Sequence, residues 1–395
     1  MKLKIAFIGC GGMAGAHLRA YHRILEAEPE RMELAAVCDP VRELAQKFAD
    51  STAPLQGSAP RVYTDTAEML AAETLDGADI CCPHGYHHVN AIACLDRGVN
   101  VLIEKPFGIT IRASKAIIAA AKKNGKIAAT AENVRRGLSQ RTAHWLIHEK
   151  GMIGTPRLFF ANHASWQDPA KERRWHWRTA TNLGGGGMVM DSGAHYCDTL
   201  RYLFGDLESA YARVEQLERH PHLKDGTVVD DEREDTWIAT LNFKSGLTGV
   251  WSWTTAAPGH SFTHVVYYGT EGSLLDSGDV FHGPFAGAKV IRKDGSERPM
   301  EQLQEEFLAS LSDAERNRLF PHGWTDGVTL ECYDFLLAIA QNRPPEVDGE
   351  TGMRAKAIAE TIYESAAAGQ LVRFDDVLAG TVNAYQRPID EYWKL

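Results

Sequence analysis

The chain has 395 residues, 44% of them hydrophobic, which is enough for more than one core because domains usually run to about 100–200 residues. Its 42 Lys and Arg residues are outnumbered by 52 Asp and Glu residues, so it lacks the basic footprint that nucleic-acid backbones require. No apolar run reaches the length of a membrane span, and the apolar run before Gly9 is too short for a signal peptide. The seven cysteines lie mostly in apolar stretches, as thiols do in a reducing compartment. We therefore expect a cytoplasmic protein that binds neither nucleic acid nor membrane.

The first third of the chain alternates short β-branched runs with helical stretches, as expected for a parallel sheet with crossover helices. One helix is predicted over 14–25 and another over 110–123. Thr110 is the predicted N-cap of the second helix, and Gly125 is part of its stop signal. The predicted strands cover 4–8, 34–38, 78–82, 100–103 and 126–131. This alternation predicts an amino-terminal domain over residues 1–132 with a doubly wound α/β fold.

The rhythm changes after residue 132, where strand-like segments follow one another with little helix between them. One long helix is predicted over 188–204, and two more, over 328–341 and 351–368, lie near the end. The predicted strands cover 210–217, 236–243, 246–254, 263–268 and 272–275. Residues 133–395 are therefore expected to form an α+β domain with a large open, mainly antiparallel sheet, whose final helices are candidates to pack back on the first domain.

The sequence G-C-G-G-M-A at residues 9–14 directly follows the first predicted strand and opens the first helix. It fits the G-x-G-x-x-G/A fingerprint of a Rossmann dinucleotide site. Gly9 permits the tight turn, Gly11 lets the backbone approach a diphosphate, and the helix start after Gly12 and Met13 offers N–H groups to the phosphates. Such a motif also occurs in ordinary glycine-rich turns, but its place after a chain-initial strand favours the dinucleotide site.

Asp39 ends the second predicted strand, where a carboxylate accepts hydrogen bonds from the adenosine ribose in dinucleotide-binding domains. A carboxylate there repels a ribose 2′-phosphate, so NAD is the expected cofactor, although the nearby Arg42 leaves NADP open. The alternative interpretation of Asp39 is structural, since a strand-end aspartate also caps a following helix.

Three further motifs follow later predicted elements. They are Pro83-His84 with His87 and His88, then Glu104-Lys105-Pro106, and, after the glycine run 184–187, the set Asp191, Gly193, His195 and Asp198. With the glycine fingerprint, these motifs resemble those of the glucose-fructose oxidoreductase, inositol dehydrogenase and MocA (Gfo/Idh/MocA) family over nearly the whole chain. The resemblance implies an NAD(P)-dependent oxidoreductase with cofactor contacts at Pro83, His84, His88, Glu104 and Lys105.

Lys105 is the residue of the second motif with the clearest chemistry. It precedes a proline, which favours an extended conformation at the carboxyl end of a parallel strand, where ligands bind in such sheets. We expect its ammonium to donate to the nicotinamide ribose and to the substrate oxygen that gains negative charge, with Glu104 orienting it. A lone lysine is more often a solvated surface charge, and only this setting favours the catalytic interpretation.

Asp191, His195 and Asp198 have helical spacing, so the sequence predicts that they share one helix face. The resemblance implies that the aspartate and the histidine transfer protons together with the lysine. We expect His195 to be the general base because imidazole titrates near neutral pH, Asp191 to orient the substrate, and Asp198 to fix the helix or the histidine tautomer. A metal site with these three ligands is the competing interpretation, but no metal is expected because nicotinamide accepts the hydride and Lys105 supplies positive charge.

An aromatic and basic stretch precedes the glycine run. Tryptophan faces pack on the C–H faces of sugars, while arginine donates to hydroxyls or a carboxylate, although core packing explains such tryptophans equally well. The stretch contains Trp166, Trp175, His176, Trp177 and Arg178. We expect substrate contacts at Lys105, Trp177, Arg178, Asp191 and His195.

These features together predict hydride transfer between a ring secondary alcohol of a sugar, glycoside or cyclitol and NAD. A glycosidase that oxidises its substrate transiently and cleaves it by elimination uses the same residues, and a noncatalytic NAD- or sugar-binding sensor is the alternative from another class. We expect a neutral ring as substrate, with an acidic sugar left open by the arginines near residue 174.

The segment 277–324 fits the family pattern least well and is expected to line the pocket or contact another subunit. A homo-oligomer, dimer or tetramer, through the carboxyl-terminal sheet is also expected.

Overall fold

The computed structural model of the protein describes residues 2–171, 173–276, 278–285 and 287–395. Two compact units divide the chain, one formed by 1–136 with 319–353 and the other by 137–318 with 354–395. The sequence expectation placed a single boundary at 132, whereas residues 319–353 group with the first unit. Within the described ranges, no helix combines the length and the apolar composition that crossing a lipid bilayer requires.

The first unit is built on a parallel sheet of six described strands. They are β1 (Leu3–Ile8), β2 (Met32–Cys38), β3 (Arg61–Tyr63), β4 (Gly77–Ile80), β5 (Asn100–Glu104) and β6 (Ala128–Ala131). The order in the sheet is β3-β2-β1-β4-β5-β6. Successive strands are added on one side of β1 and then on the other, so the carboxyl ends of β1 and β4 form the switch point where ligands bind in such folds.

Helices cover this sheet, and their starts and stops follow local capping rules. The helices are α1 (Ala14–Ala27), α2 (Arg42–Gln56), α3 (Thr66–Ala72), α4 (His87–Asp96) and α5 (Ile111–Asn124). The Thr110 side chain accepts a hydrogen bond from the Ala113 N–H and Gly125 ends α5 in the left-handed conformation, so both predicted signals are confirmed. Phe7 of β1 packs edge-on against Tyr21 of α1 and Phe48 of α2, which joins these helices to the sheet.

The predicted doubly wound α/β fold is confirmed. Strand β3 is the one element of this sheet that the sequence did not predict. Its three residues, Arg61–Tyr63, are exposed or half-buried, so they carry no apolar alternation from which a strand is recognised.

The second unit contains a nine-stranded sheet and a three-stranded sheet among its described residues. The strands are β7 (Pro156–Ala164), β8 (Arg173–Arg174), β9 (Leu207–Glu215), β10 (His222–Lys224), β11 (Thr227–Val229), β12 (Thr236–Phe243), β13 (Thr248–Thr254), β14 (Phe262–Gly269), β15 (Gly272–Asp276), β16 (Lys289–Arg292), β17 (Glu297–Pro299) and β18 (Val372–Arg373). The larger sheet has the order β17-β16-β15-β14-β7-β13-β12-β9-β18. Its neighbours pair antiparallel except β7 with β13, which confirms the predicted open, mainly antiparallel sheet.

Helices pack on one face of the large sheet. The helices of this part of the chain are α6 (Leu138–His148), α7 (Thr181–Gly184), α8 (Gly193–Phe204), α9 (Met300–Ser310) and α10 (Asp313–Leu319). Tyr196 of α8 lies 5.2 Å, between ring centroids, from Trp251 of β13, and Trp251 in turn packs edge-on against Trp237 of β12. The face that bears these buried rings is called the inner face below.

The prediction of one helix over 188–204 is wrong in its first turn. Residues 188–192 form turns, and α8 begins only at Gly193. The carboxylate of Glu234 explains this difference, because it accepts hydrogen bonds from the N–H groups of Gly187 and Val189. The turns are therefore stabilised by a side chain from the connection between β11 and β12. The local sequence pattern does not reveal this contact.

The end of the chain is helical: the helices predicted over 328–341 and 351–368 are present, and two short helices that the sequence did not predict follow them. The last helices are α11 (Gly327–Gln341), α12 (Gly349–Ala368), α13 (Phe374–Ala379) and α14 (Arg387–Trp393). Helix α11 belongs to the first unit, where Phe335 and Leu336 join the same core as Phe7. Gly369, directly after α12, has a positive φ of 63°, the left-handed conformation in which helices commonly end.

Candidate active site

The glycine loop of the first unit lies at the switch point of the sheet. Gly9 has a φ of +89°, and a Cβ atom at this position would lie 2.8 Å from the backbone of Cys81 and Cys82 at the end of β4. Its N–H donates to the carbonyl of Cys38 at the end of β2. Only glycine satisfies both the conformation and the close approach, so the tight turn assigned to Gly9 has a direct structural reason.

The space in front of the loop suits a diphosphate. Gly11 and Gly12 are exposed, and a Cβ atom on either would meet nothing within 4 Å. Met13 is also exposed, and α1 starts there without a side-chain cap or an acidic residue in its first turn. An uncapped helix N-terminus beside open glycines is a donor set that fits the phosphates of a dinucleotide.

Asp39 is buried at the end of β2, beside the glycine loop. Its Oδ2 accepts a hydrogen bond from the Cys10 N–H at 2.7 Å, and its Oδ1 accepts one from the Val41 N–H at 2.8 Å. The second contact holds the turn before α2, but α2 has no side-chain cap, so Asp39 does not cap that helix. The first contact fixes the carboxylate next to the loop, where the ribose role stays a prediction.

The Pro83 motif follows β4 and leads into α4. His84 and His88 are both buried. Burial and the neighbouring His87 lower the pKa of His88 from 6.5 to about 4, so this imidazole is neutral at physiological pH. The ring nitrogens of His87 lie 3.0 Å from the Pro106 carbonyl oxygen and 2.9 Å from that of Cys82, which ties this motif to the Glu-Lys-Pro motif.

Glu104 and Lys105 leave the end of β5. Lys105 is half-buried. Glu104 is buried, and its Oε1 lies 3.2 Å from Nε2 of His17, a fully buried residue of α1. The sequence predicted that Glu104 orients Lys105 but gave no sign of His17, because the two residues lie 87 positions apart.

His17 lies among several acidic groups. Its Nδ1 is 2.9 Å from the Asp79 carboxylate, and its Nε2 is 3.5 Å from the Glu331 carboxylate. Burial by itself would lower the pKa of His17, but the charge of Asp79, its hydrogen bond and the neighbouring Cys81 and Cys332 together outweigh burial and raise the pKa well above 6.5. Burial raises the pKa of Glu331 well above 4.5. The surroundings of His17 therefore favour its protonated form, while burial favours the neutral form of Glu331. His17, Asp79 and Cys81 also bring their potential ligand atoms within 4.8 Å of one another, but the hydrogen bonds among them account for this grouping.

In the second unit, the start of α8 determines the positions of the third motif. Asp191 lies in the turn before the helix, His195 is half-buried in its first turn, and Asp198 is 1% exposed. The prediction that the three residues share one helix face is wrong, because the chain becomes helical only at Gly193. The competing metal interpretation required all three side chains on one helix face, and Asp191 lies outside the helix.

Asp191 has an ionic partner that the sequence did not predict. Its Oδ2 lies 2.8 Å from Nε of Arg178, and the Arg178 guanidinium stacks over the Trp177 ring at 4.3 Å from the ring centroid. The structure thus brings three of the five predicted substrate contacts together as one aromatic and charged group. The other tryptophans lie elsewhere in the stretch: Trp166 is half-exposed, and Lys224 covers Trp175.

Sequence reasoning missed a second imidazole beside His195. The rings of His195 and His282 lie 5.2 Å apart between centroids. His282 comes from the segment 277–324, whose role the sequence left open; Ser277 and Ala286 of that segment lie outside the described residues. The sequence Phe281-His282-Gly283 was the available signal, but it does not belong to any of the family motifs described above.

A cavity of about 200 Å³ lies on the inner face of the large sheet. Trp253 forms part of its wall and packs at 6.0 Å from Phe281, the residue before His282. Its other lining residues are mainly polar: Gln167, Arg173, Met188, His220, Asp231, Arg233, Glu234, Asp235 and Thr255.

Comparison with known proteins assigns both parts of the chain. Residues 3–132 match the family model described as the oxidoreductase family with an NAD-binding Rossmann fold. Residues 141–275 match the model of the GFO/IDH/MocA C-terminal domain. The two matches together cover most of the chain.

Similar proteins span nearly the full length of this one. The chain is 24% identical to D-apiose dehydrogenase from Paraburkholderia graminis, over 96% of this chain and 91% of that protein. It is also 24% identical to D-glucoside 3-dehydrogenase from Escherichia coli, over 94% and 97% respectively. A solved structure of levoglucosan dehydrogenase in complex with NADH and levoglucosan shares the fold, with a TM-score of 0.74 at 22% identity over 95% of this chain and 100% of that one.

Proposed function

Because this chain belongs to the GFO/IDH/MocA family of NAD-binding oxidoreductases, we propose that it transfers a hydride between a ring secondary alcohol and NAD. The substrate class is a sugar, a glycoside or a cyclitol, in keeping with the names of similar proteins such as D-glucoside 3-dehydrogenase and myo-inositol 2-dehydrogenase. The observation that carries the proposal is the half-buried His195 at the start of α8, with a second imidazole 5.2 Å away. A protein that only binds a sugar has no need of such a proton-accepting group.

The first unit supplies the cofactor contacts in this proposal. Gly9 forms the tight turn that places the loop, backbone groups of Gly11, Gly12 and Met13 hold the diphosphate, and Asp39 accepts from the adenosine ribose. NAD, when bound, supplies the hydride acceptor at C4 of its nicotinamide. The remaining cofactor contacts are assigned to Pro83, His84, His88, Glu104 and Lys105.

The chemical step in this proposal uses Lys105 and His195. His195 removes the hydroxyl proton from the alcohol, and the Lys105 ammonium donates a hydrogen bond to the oxygen as negative charge develops on it. Asp191 is a substrate contact in this account, and its ion pair with Arg178 orients the carboxylate. Trp177, covered on one face by Arg178, offers its ring to the C–H face of the sugar.

We also propose a homo-oligomer formed through the outer face of the large sheet. This face exposes a set of large apolar side chains, which soluble surfaces rarely carry together unless another chain covers them. The set is Leu158, Phe160, Tyr211, Ile238, Phe262 and Tyr268. A second copy of the chain is the occupant that the family resemblance implies.

A cytoplasmic location is proposed on the state of the cysteines. Five of the seven cysteines are buried. Buried thiols are typical of proteins from a reducing compartment.

A panel of neutral sugars, aryl glycosides and cyclitols tests the proposed function. Each compound is incubated with the protein and NAD, while free NADH and released aglycone are measured together. We expect NADH in equal amount to an intact keto product. Aglycone release with only catalytic NAD and no net NADH would instead indicate the redox-assisted glycosidase. If none of these compounds is oxidised while a phosphorylated or non-carbohydrate alcohol is, the substrate class is wrong.

A further inference from the structure

The loop Asp279–Pro284 is fixed by contacts from two helices of the second unit. Nε2 of Gln140 on α6 donates to the Pro284 carbonyl at 3.0 Å, and Oγ1 of Thr199 on α8 donates to the His282 carbonyl at 3.2 Å. Both hydrogen bonds act on the backbone. The His282 side chain is therefore positioned by the fold, while one third of it stays exposed.

Asp279 determines which ring nitrogen of His282 carries the proton. Nδ1 of His282 lies 3.0 Å from Oδ2 and 3.1 Å from Oδ1 of Asp279, and Oδ1 also accepts the N–H groups of Phe281 and His282. Burial raises the pKa of Asp279, but these hydrogen bonds outweigh burial and lower it below 3.8. An ionised carboxylate only accepts, so Nδ1 is the donor and a neutral His282 presents an unprotonated Nε2.

His195 and His282 form a pair of neighbouring imidazoles. The rings are tilted by 32° at a centroid separation of 5.2 Å. Adjacent hydroxyls of a sugar ring lie within hydrogen-bond distance of one another, so two imidazoles at this spacing match two neighbouring hydroxyls.

We propose that His282 is a specificity-determining residue whose Nε2 accepts a hydrogen bond from the ring hydroxyl next to the one that is oxidised. The protein then selects substrates with two adjacent free hydroxyls, whether these belong to a sugar, a glycoside or a cyclitol. Asp279 acts through His282 as a positioning residue. This inference rests on the proposed function, because it requires a ring alcohol as substrate.

The test compares the best substrate of the panel with its analogue lacking the hydroxyl next to the reacting carbon, which the ketone position of the product identifies. Steady-state kinetics are measured for the wild type, His282→Phe, Asp279→Asn and, as a matched control, His260→Phe, an exposed histidine. His282→Phe keeps a ring but removes the acceptor. We expect it to lower kcat/KM on the parent substrate about tenfold, the size of one hydrogen bond between ligand and protein, and to leave kcat/KM on the deoxy analogue nearly unchanged.

The wild type should lose about the same factor when the neighbouring hydroxyl is deleted, so the two changes are not additive. Asp279→Asn should show the same pattern with a smaller loss, and His260→Phe should leave kcat/KM unchanged on both substrates. Equal losses on both substrates in His282→Phe would overturn the inference, since His282 would then act through His195 or through the loop. No loss on the parent would overturn it as well. In both cases wild-type turnover upholds the proposed function, whereas absence of turnover on every ring alcohol overturns the proposed function and this inference with it.

Discussion

Two groups of ionisable residues, one in each unit, differ in burial and therefore in what they do. The group around His17 in the first unit has no exposed atoms on His17 or Asp79 and 8% exposure on the Glu104 side chain. In the second unit His195 is half-buried, and the ion-paired Arg178 and Asp191 side chains keep 33% and 20% exposure. A charge that is sealed from water affects the stability of the fold, because it destabilises the fold unless an opposite charge lies beside it. A charge at a partly exposed surface is able to contact a substrate. The sealed His17 and Asp79 therefore have a structural role, whereas the partly exposed residues of the second unit are candidates for contact with the substrate.

The largest expected effect is on stability. His17→Ala removes the cation that compensates Asp79 and Glu104, and breaking a buried ion pair costs about 3–5 kcal/mol. We expect a loss of this size in the free energy of unfolding, measured by urea titration followed by circular dichroism. Glu331→Gln is the matched control, because burial favours the neutral form of Glu331 and an amide replaces a neutral acid at little cost. A loss as large in the control as in His17→Ala would show that charge compensation is not what His17 provides.

The next effect is on turnover. His195→Ala and Lys105→Ala should each lower kcat by about two orders of magnitude or more, the usual scale of general acid–base groups. Both variants should unfold at the wild-type temperature, since neither residue is sealed in a core. The double variant should lose little more than either single one, because the two residues serve one proton path. Near-normal turnover in either single variant would remove that residue from the chemical step.

Much of the first unit could be predicted because its signals are local. The glycine loop, the Thr110 cap and the stop at Gly125 each depend on residues close together in the chain. The contact between His17 and Glu104 depends on the order of the strands in the sheet. The sequence pattern does not predict which residues meet when they lie so far apart in the chain. The start of α8 was misplaced for the same reason, because Glu234 holds the preceding turns from another part of the chain.

The pH dependence of stability sharpens the comparison through His88. Its pKa is 6.5 in the unfolded chain and about 4 in the fold, so between these values the unfolded chain binds a proton that the fold does not. Stability is therefore fully present above pH 6.5 and falls as the pH decreases to about 4, where this contribution is lost. His88→Asn should show a weaker loss of unfolding free energy over this range than the wild type. The same acid dependence in both proteins would contradict a neutral, buried His88.

The smallest expected effect concerns cofactor choice. Asp39 is held beside the glycine loop by the Cys10 N–H, and its carboxylate disfavours a 2′-phosphate there. Wild-type protein should bind NAD more tightly than NADP, and Asp39→Ala should narrow the ratio of the two dissociation constants about tenfold, as measured by isothermal titration calorimetry. An unchanged ratio would leave Asp39 only its structural contact with Val41.

Hydride transfer from the ring carbon is the central claim, and isotope tracing tests it most directly. The best substrate of the panel is prepared with deuterium at the reacting carbon and incubated with the protein and NAD in ordinary water. The account predicts that the deuterium appears at C4 of the nicotinamide of NADH, detected by mass spectrometry and NMR, and that turnover slows relative to the unlabelled substrate whenever the chemical step limits the rate. NADH free of deuterium, or deuterium released into water, would contradict direct hydride transfer.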